Sequence, residues 1–218
     1  MVKMRLGLLG GTFNPVHQGH IQAAQVVQKS FDLNKVYFIP AYIPPHKSSQ
    51  AIASPKHRLR MVELAVEPFP DFIPSSIEIE AGGKSYSIIT LGKFQQLFPG
   101  SSIYFILGID AFLEIDTWKD YERLLEQCDF IVLSRPGYDL SDAKTVLGGR
   151  FKKKIIDVNR YINRKQTRKG YYKIILFPFD GLDLSSTEIR EKVNRGKSIK
   201  GLVPEEVEAY IKKYNLYQ

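Results

Sequence analysis

The hydrophobic positions of this chain fall into two alternating patterns. Short, nearly continuous apolar runs at residues 5–9, 36–40, 102–107, 130–134 and 173–177 predict buried strands. Between them lie segments with helical spacing. In residues 17–30, Ile21, Ala24, Val27 and Phe31 fall on one face. Ser54-Pro55 has the form of an N-cap followed by proline at the first helical position, and opens a helix through residue 66. Residues 87–98, 186–195 and 204–215 predict further helices, and residues 111–128 hold helical material. Residues 72–80 predict an extended segment, with Pro74 as a break within it.

Strands rich in Ile, Val, Phe and Leu, without polar alternation, belong to a parallel sheet covered on both faces. Their alternation with helices predicts a Rossmann-like, doubly wound α/β fold. Ligands in such sheets bind at the carboxyl ends of the strands. No internal repeat or linker is evident, so residues 1–218 are expected to form one domain. Its final helices, about residues 181–218, are expected to pack as a small C-terminal helical subdomain.

The first strand runs into Gly10-Gly11-Thr12-Phe13-Asn14-Pro15-Val16-His17-Gln18-Gly19-His20. Two glycines allow a tight turn and close approach of the backbone to a ligand. His17 and His20 are three residues apart at a helix start and point the same way. Free N–H groups and the positive end of the helix dipole favour phosphate there. The residues alone leave two readings: histidines that cap and pack, or donors that stabilise charge during phosphoryl or nucleotidyl transfer.

A second segment, Leu184-Ser185-Ser186-Thr187-Glu188-Ile189-Arg190, precedes the last helices. Ser185 or Ser186 can serve as N-cap, with Glu188 near the capping-box position. The hydroxyls, the free N–H groups and Arg190 one turn on also make an anion site.

The middle of the chain holds further candidates. Pro44-Pro45-His46-Lys47 is a rigid, cationic loop able to face a phosphate or an acidic group, or to be solvated. Thr90 offers a hydroxyl donor or simply packs within its helix. Gly108 and Asp110 end the strand at 102–107, where ribose hydroxyls would sit. The single Trp118 is either a core anchor or a surface on which a pyridine ring stacks. Arg135 follows the next strand and is solvated or aimed at a nucleotide.

Gly11, Phe13, Pro15, His17, Gly19 and His20 resemble the (T/H)xGH signature of the nucleotidylyltransferase superfamily. Six specified positions put a chance match on the order of 10⁻⁸ per start point. Ser185 to Arg190 resembles the SSTxIR motif of the same superfamily, which grips the ATP β- and γ-phosphates. The order of PPHK, SYSIITL, LGID, Trp118, SRPG and SSTEIR is similar to that of the bacterial nicotinate-nucleotide adenylyltransferases. The resemblance covers residues 3 to 215, and departs from the commoner spelling at Asn14, where the family carries Asp.

That resemblance implies ATP and nicotinate mononucleotide as substrates, deamido-NAD and pyrophosphate as products, and Mg²⁺ accompanying ATP. It implies catalytic roles for His17 and His20. It implies ATP binding by Gly10, Gly11, Thr12, Phe13, Gly108, Asp110, Arg135, Ser185, Ser186, Thr187 and Arg190. Substrate binding would fall to His46, Lys47, Thr90 and Trp118, with no metal held by the protein itself. A preference for nicotinamide mononucleotide is the alternative within this chemistry.

Composition narrows the class further. Of 218 residues, 44% are hydrophobic and 25% charged, as in ordinary globular proteins and not in disordered chains. No apolar run approaches the ~18 residues that span a bilayer, and the N-terminal stretch has no secretory-signal pattern. One cysteine, Cys128, can form neither an internal disulfide nor a Cys cluster for zinc, so a reducing cytoplasm is the expected setting. The net charge of +8 invites a nucleic-acid reading. It is local, however. Residues 150–173 hold ten basic groups against the single acidic Asp157, a segment charge of +9 that leaves the rest of the chain at −1. Such a segment predicts a solvated face, a steering surface for anionic substrates or a contact between subunits, and makes nucleic acid a secondary expectation.

Overall fold

The computed structural model describes residues 4–44, 52–159 and 172–218. In chain order these hold β1 (Arg5–Gly11), α1 (Gln18–Ser30), β2 (Lys35–Pro40), α2 (Pro55–Val66), β3 (Phe72–Pro74), α3 (Ile77–Ala81), α4 (Ser87–Leu97) and β4 (Ser102–Gly108). There follow α5 (Ile109–Phe112), α6 (Tyr121–Leu124), β5 (Asp129–Leu133), α7 (Gly149–Lys152), β6 (Ile155–Asp157), β7 (Ile174–Phe177), α8 (Ser186–Asn194) and α9 (Glu205–Lys213). Among the described residues the strands follow the order β3-β2-β1-β4-β5-β7-β6, with parallel pairing. This is the Rossmann-like α/β arrangement that the apolar runs predict.

The residues form two compact units. One comprises Met1–Leu9 and Tyr86–Asp180. Within it, Arg5 to Leu9 of β1 register with Ser102 to Ile106 of β4, and Tyr104 to Gly108 of β4 with Asp129 to Leu133 of β5. Phe130 to Leu133 then register with Ile174 to Phe177 of β7, whose other edge carries β6. Leu6, Leu8, Ile106, Phe130, Ile131, Val132 and Ile175 are fully buried. Side chains pointing to both faces are thus covered, which is why these strands lack polar alternation.

The other unit comprises Gly10–Ser85 and Gly181–Gln218. Val36 to Phe38 of β2 register with Phe72 to Pro74 of β3, and α9 packs on α2. The apolar stripe of α1 is buried as predicted: Ala24 and Val27 have no exposure, Ile21 and Phe31 almost none. The Ser54 side chain accepts the His57 N–H at 3.3 Å and caps α2, with Pro55 at its first position.

Three differences from the sequence reading have local causes. The extended segment expected through residue 80 is strand only at Phe72–Pro74 and is followed by the helix α3. The alternation Ile77-Glu78-Ile79-Glu80 mimics a strand, but the Glu80 N–H returns to the Ser76 carbonyl and closes a helical turn. The helical material of residues 111–128 is divided into α5, a 3₁₀ turn at Ile115–Thr117, and α6, with Asp120 in the left-handed region at φ 50°. The short strand β6 is not predicted at all. Its three residues follow Lys152, Lys153 and Lys154, and too few apolar positions remain to set a period. No helix among the described residues is long and apolar enough to cross a membrane.

Candidate active site

In the unit of Gly10–Ser85 and Gly181–Gln218, the loop from β1 to α1 carries the two histidines. Phe13 adopts φ 49°, a conformation that costs a bulky residue about 1–3 kcal/mol unless its surroundings hold it. They do so here. The Phe13 ring is buried, 5.9 Å from Phe38 and edge-on to His20 at 5.0 Å. A Cβ on Gly11 would stand 3.1 Å from that ring, so the glycine admits the aromatic. Gly10 is exposed and Thr12 half-buried.

His17 is the N-cap of α1 and is buried; His20 is half-buried, with the ring centroids 3.7 Å apart. The His17 backbone N–H donates to His20 Nδ1 at 3.2 Å. With Nδ1 engaged as an acceptor, the neutral His20 ring carries its proton on Nε2. Gly19 gives His17 its room: a Cβ there would lie 3.2 Å from Nδ1 of His17.

The second motif starts α8. Ser185 is its N-cap and accepts the Glu188 N–H at 3.1 Å, while Leu184 and Ile189 anchor the segment in the core. Ser185 and Thr187 are exposed. Ser186 and Arg190 do something the motif reading did not foresee. The Ser186 hydroxyl donates to the Pro15 carbonyl at 2.8 Å, and Arg190 donates to the Asn14 carbonyl at 2.9 Å and to the Thr187 hydroxyl at 3.2 Å. The start of α8 is thereby bonded to the loop that carries His17 and His20.

The same unit holds two buried polar residues to which the sequence reading gave no role. Arg58, on α2, is completely buried. Its guanidinium donates to the carbonyls of Thr12 at 2.8 Å, Ala53 at 3.0 Å and Tyr42 at 3.0 Å. Burial lowers its pKa from the ordinary arginine value. The signal for it was in the sequence: Arg58 occupies the face of α2 continued by Met61, Val62 and Ala65. Asn14 is also buried, and its side-chain oxygen accepts the Ala53 N–H at 3.0 Å and the Tyr217 hydroxyl at 2.9 Å. Only the folded chain brings residue 217 to residue 14.

In the unit of Met1–Leu9 and Tyr86–Asp180, Gly108 ends β4, Asp110 lies in the first turn of α5, and Arg135 follows β5. Arg135 Nε stands 3.8 Å from Asp110 Oδ1, both side chains partly exposed. A Cβ on Gly108 would collide with the Asp110 carboxylate and stand 3.0 Å from Arg135 Nε, so only glycine admits this pair. Thr90 is buried on α4, and its hydroxyl donates back to the Tyr86 carbonyl at 3.4 Å. Trp118 closes the 3₁₀ turn, half-buried and edge-on to Phe105 at 6.5 Å, while the Lys119 ammonium lies 4.8 Å from the centre of the Tyr86 ring. His46 and Lys47 lie outside the described residues, as do Arg160, Arg164, Lys165, Arg168 and Lys169 of the basic segment. Among the described residues no three His, Cys, Asp or Glu side chains cluster as metal ligands.

A cytidylyltransferase-like family model matches residues 8–192. A curated protein of Desulfatibacillum aliphaticivorans, named "Probable nicotinate-nucleotide adenylyltransferase", is 43% identical over 98% of this chain and all of its own length. One of the same name from Thermoanaerobacter sp. (strain X514) is 41% identical over 99% of this chain and 95% of its own. The solved structure of Plasmodium falciparum nicotinic acid mononucleotide adenylyltransferase complexed with NaAD shares the fold, with a TM-score of 0.73 at 19% identity over 98% of this chain and 97% of that one. The chain belongs to the cytidylyltransferase-like family and, within it, to the nicotinate-nucleotide adenylyltransferases.

Proposed function

We propose that this protein transfers the adenylyl group of ATP to nicotinate mononucleotide, giving deamido-NAD and pyrophosphate. The observation that carries the reading is the bonding of the two phosphate motifs to each other, Arg190 to Asn14 and Ser186 to Pro15, in a chain of this family. A 5′-phosphate oxygen of the mononucleotide attacks the α-phosphorus of ATP. The new P–O bond forms as the bond to the β-phosphate bridging oxygen breaks, and pyrophosphate leaves with that electron pair. No protein nucleophile is needed, so catalysis rests on positioning and on stabilising developing charge.

Each site residue then has a role. His20 presents Nε2–H to the α-phosphate oxygens, and His17, at the helix start, sits on the triphosphate side. Gly10, Gly11, Thr12 and Phe13 form the turn on which the triphosphate lies. Ser185, Thr187 and the free N–H groups of α8 receive the terminal phosphates; Arg190 and Ser186 bind there while holding the loop. Gly108, Asp110 and Arg135 take the nucleoside part of ATP. Thr90 and Trp118 recognise the pyridine ring, and His46 and Lys47 the mononucleotide's anionic groups. Mg²⁺ enters with ATP as part of the substrate, held by phosphate oxygens and water. The reaction belongs to a reducing compartment, in keeping with a lone cysteine.

The experiment is pyrophosphate release with ATP and nicotinate mononucleotide, with the dinucleotide product identified by mass. Product formation with the nicotinate substrate is expected; release of pyrophosphate with oligonucleotides alone, or no turnover, would refute the reading.

A further inference from the structure

The helix α9 ends in a turn that sends the last residues back toward the glycine loop within their own unit. The Asn215 N–H returns to the Lys212 carbonyl at 3.3 Å and the Leu216 N–H to the Ile211 carbonyl at 3.1 Å. Asn215 itself is left-handed at φ 48°. This is the Schellman ending, with asparagine at the left-handed position. It delivers the Tyr217 hydroxyl to Asn14 Oδ1, at 2.9 Å and 203 residues distant in sequence.

Asn14 is where three independent ties meet. Its side-chain oxygen takes the Ala53 N–H and the Tyr217 hydroxyl, and its carbonyl takes Arg190 of α8. The next residue, Pro15, accepts Ser186, and the chain then passes through the fully buried Val16 to His17. Asn14 is thus separated from His17 by only two buried residues, one of them a proline with a fixed φ. Burial raises the Tyr217 phenol well above the ordinary tyrosine range, against the lowering effect of Arg190 and Arg58, so it stays a donor at neutral pH.

We propose that Tyr217 is a positioning residue for adenylyl transfer, acting through Asn14 on the loop that carries His17 and His20. The proposal rests on the adenylyltransferase reading. The segment after α9 is then part of the catalytic apparatus without touching substrate. Because reacting groups must be aligned to within a fraction of an ångström, loss of this tie should lower the rate of the chemical step more than the binding of ATP.

The test is a double-mutant cycle in the full chain between Tyr217→Phe and Asn14→Ala, with kcat and KM for ATP measured separately and the melting temperature recorded. Tyr217→Phe should lower kcat about five- to twentyfold, with KM for ATP within about twofold and the melting temperature within a few degrees. The double variant should be no slower than Asn14→Ala alone. Should Asn14→Ala fold poorly, Asn14→Asp keeps the acceptor oxygen, and Tyr217→Phe should cost as much in that background as in the parent. A Tyr217→Phe protein with parental kcat, one that loses only melting temperature, or losses that multiply would overturn the proposal. A parent chain without turnover on ATP and nicotinate mononucleotide would instead overturn the functional reading, and this role with it.

Discussion

His20 accepts the backbone N–H of His17 on Nδ1 at 3.2 Å, so the helix that carries the two histidines also fixes the tautomer of one of them. A neutral His20 then carries its proton on Nε2, and this bond helps to orient the ring. His20→Ala should lower kcat roughly 10²–10³-fold, the loss expected for one preorganised donor, with an unchanged circular dichroism spectrum. Turnover near that of the parent would remove His20 from the chemistry.

Arg58 supports the same loop from beneath. Its guanidinium binds the carbonyls of Thr12, Ala53 and Tyr42, and no other side chain offers such a fork of donors. Arg58→Met leaves three carbonyls without this donor and should destabilise the protein by about 2–4 kcal/mol. Arg58→Lys should recover only part of that loss, because an ammonium cannot reach all three. Urea unfolding of the two variants checks both statements.

The longer strands and the helix starts were legible in the sequence because their signals are local. Arg5 to Leu9 has a continuous apolar run, Ser54-Pro55 a cap, and Ser185 an N-cap with Glu188 three residues on. The segment Ile77 to Glu80 misled because a period of two also fits a single helical turn closed by Ser76. The uses of Ser186, Arg190 and Tyr217 were not legible. Their partners lie 171, 176 and 203 residues away, and no local pattern encodes a contact of that range.

Gly108 gives a prediction on the nucleoside side. Its missing side chain leaves space for Asp110 and Arg135, which stand 3.8 Å apart. Gly108→Ala should displace that pair and raise KM for ATP severalfold, while β4, whose φ at this residue of −76° suits alanine, keeps its pairing. A KM equal to that of the parent would separate the pair from ATP binding.

Burial of Cys128 and Tyr217 contributes to a fall in stability at alkaline pH. Burial raises the Cys128 thiol well above its ordinary value, and burial likewise raises Tyr217. The unfolded chain therefore loses these protons at a lower pH than the folded one. Their contribution is constant at neutral pH and declines as pH rises past the ordinary thiol value of about 8.5 and then the tyrosine value of about 10. Urea unfolding between pH 7 and 10.5 should show this fall, with a smaller slope in Cys128→Ala. The same burial should keep the thiol unreactive toward alkylating reagents at pH 8 until the chain is unfolded.

The acceptor nucleotide defines the reaction. Nicotinate and nicotinamide mononucleotides differ by a carboxylate against an amide, so a site that binds the carboxylate should separate them by more than tenfold. Turnover of ATP with each, followed by pyrophosphate release and by the mass of the dinucleotide, measures this directly. We predict a higher kcat/KM for nicotinate mononucleotide, with deamido-NAD as product; a preference for the amide substrate would instead make nicotinamide mononucleotide the acceptor.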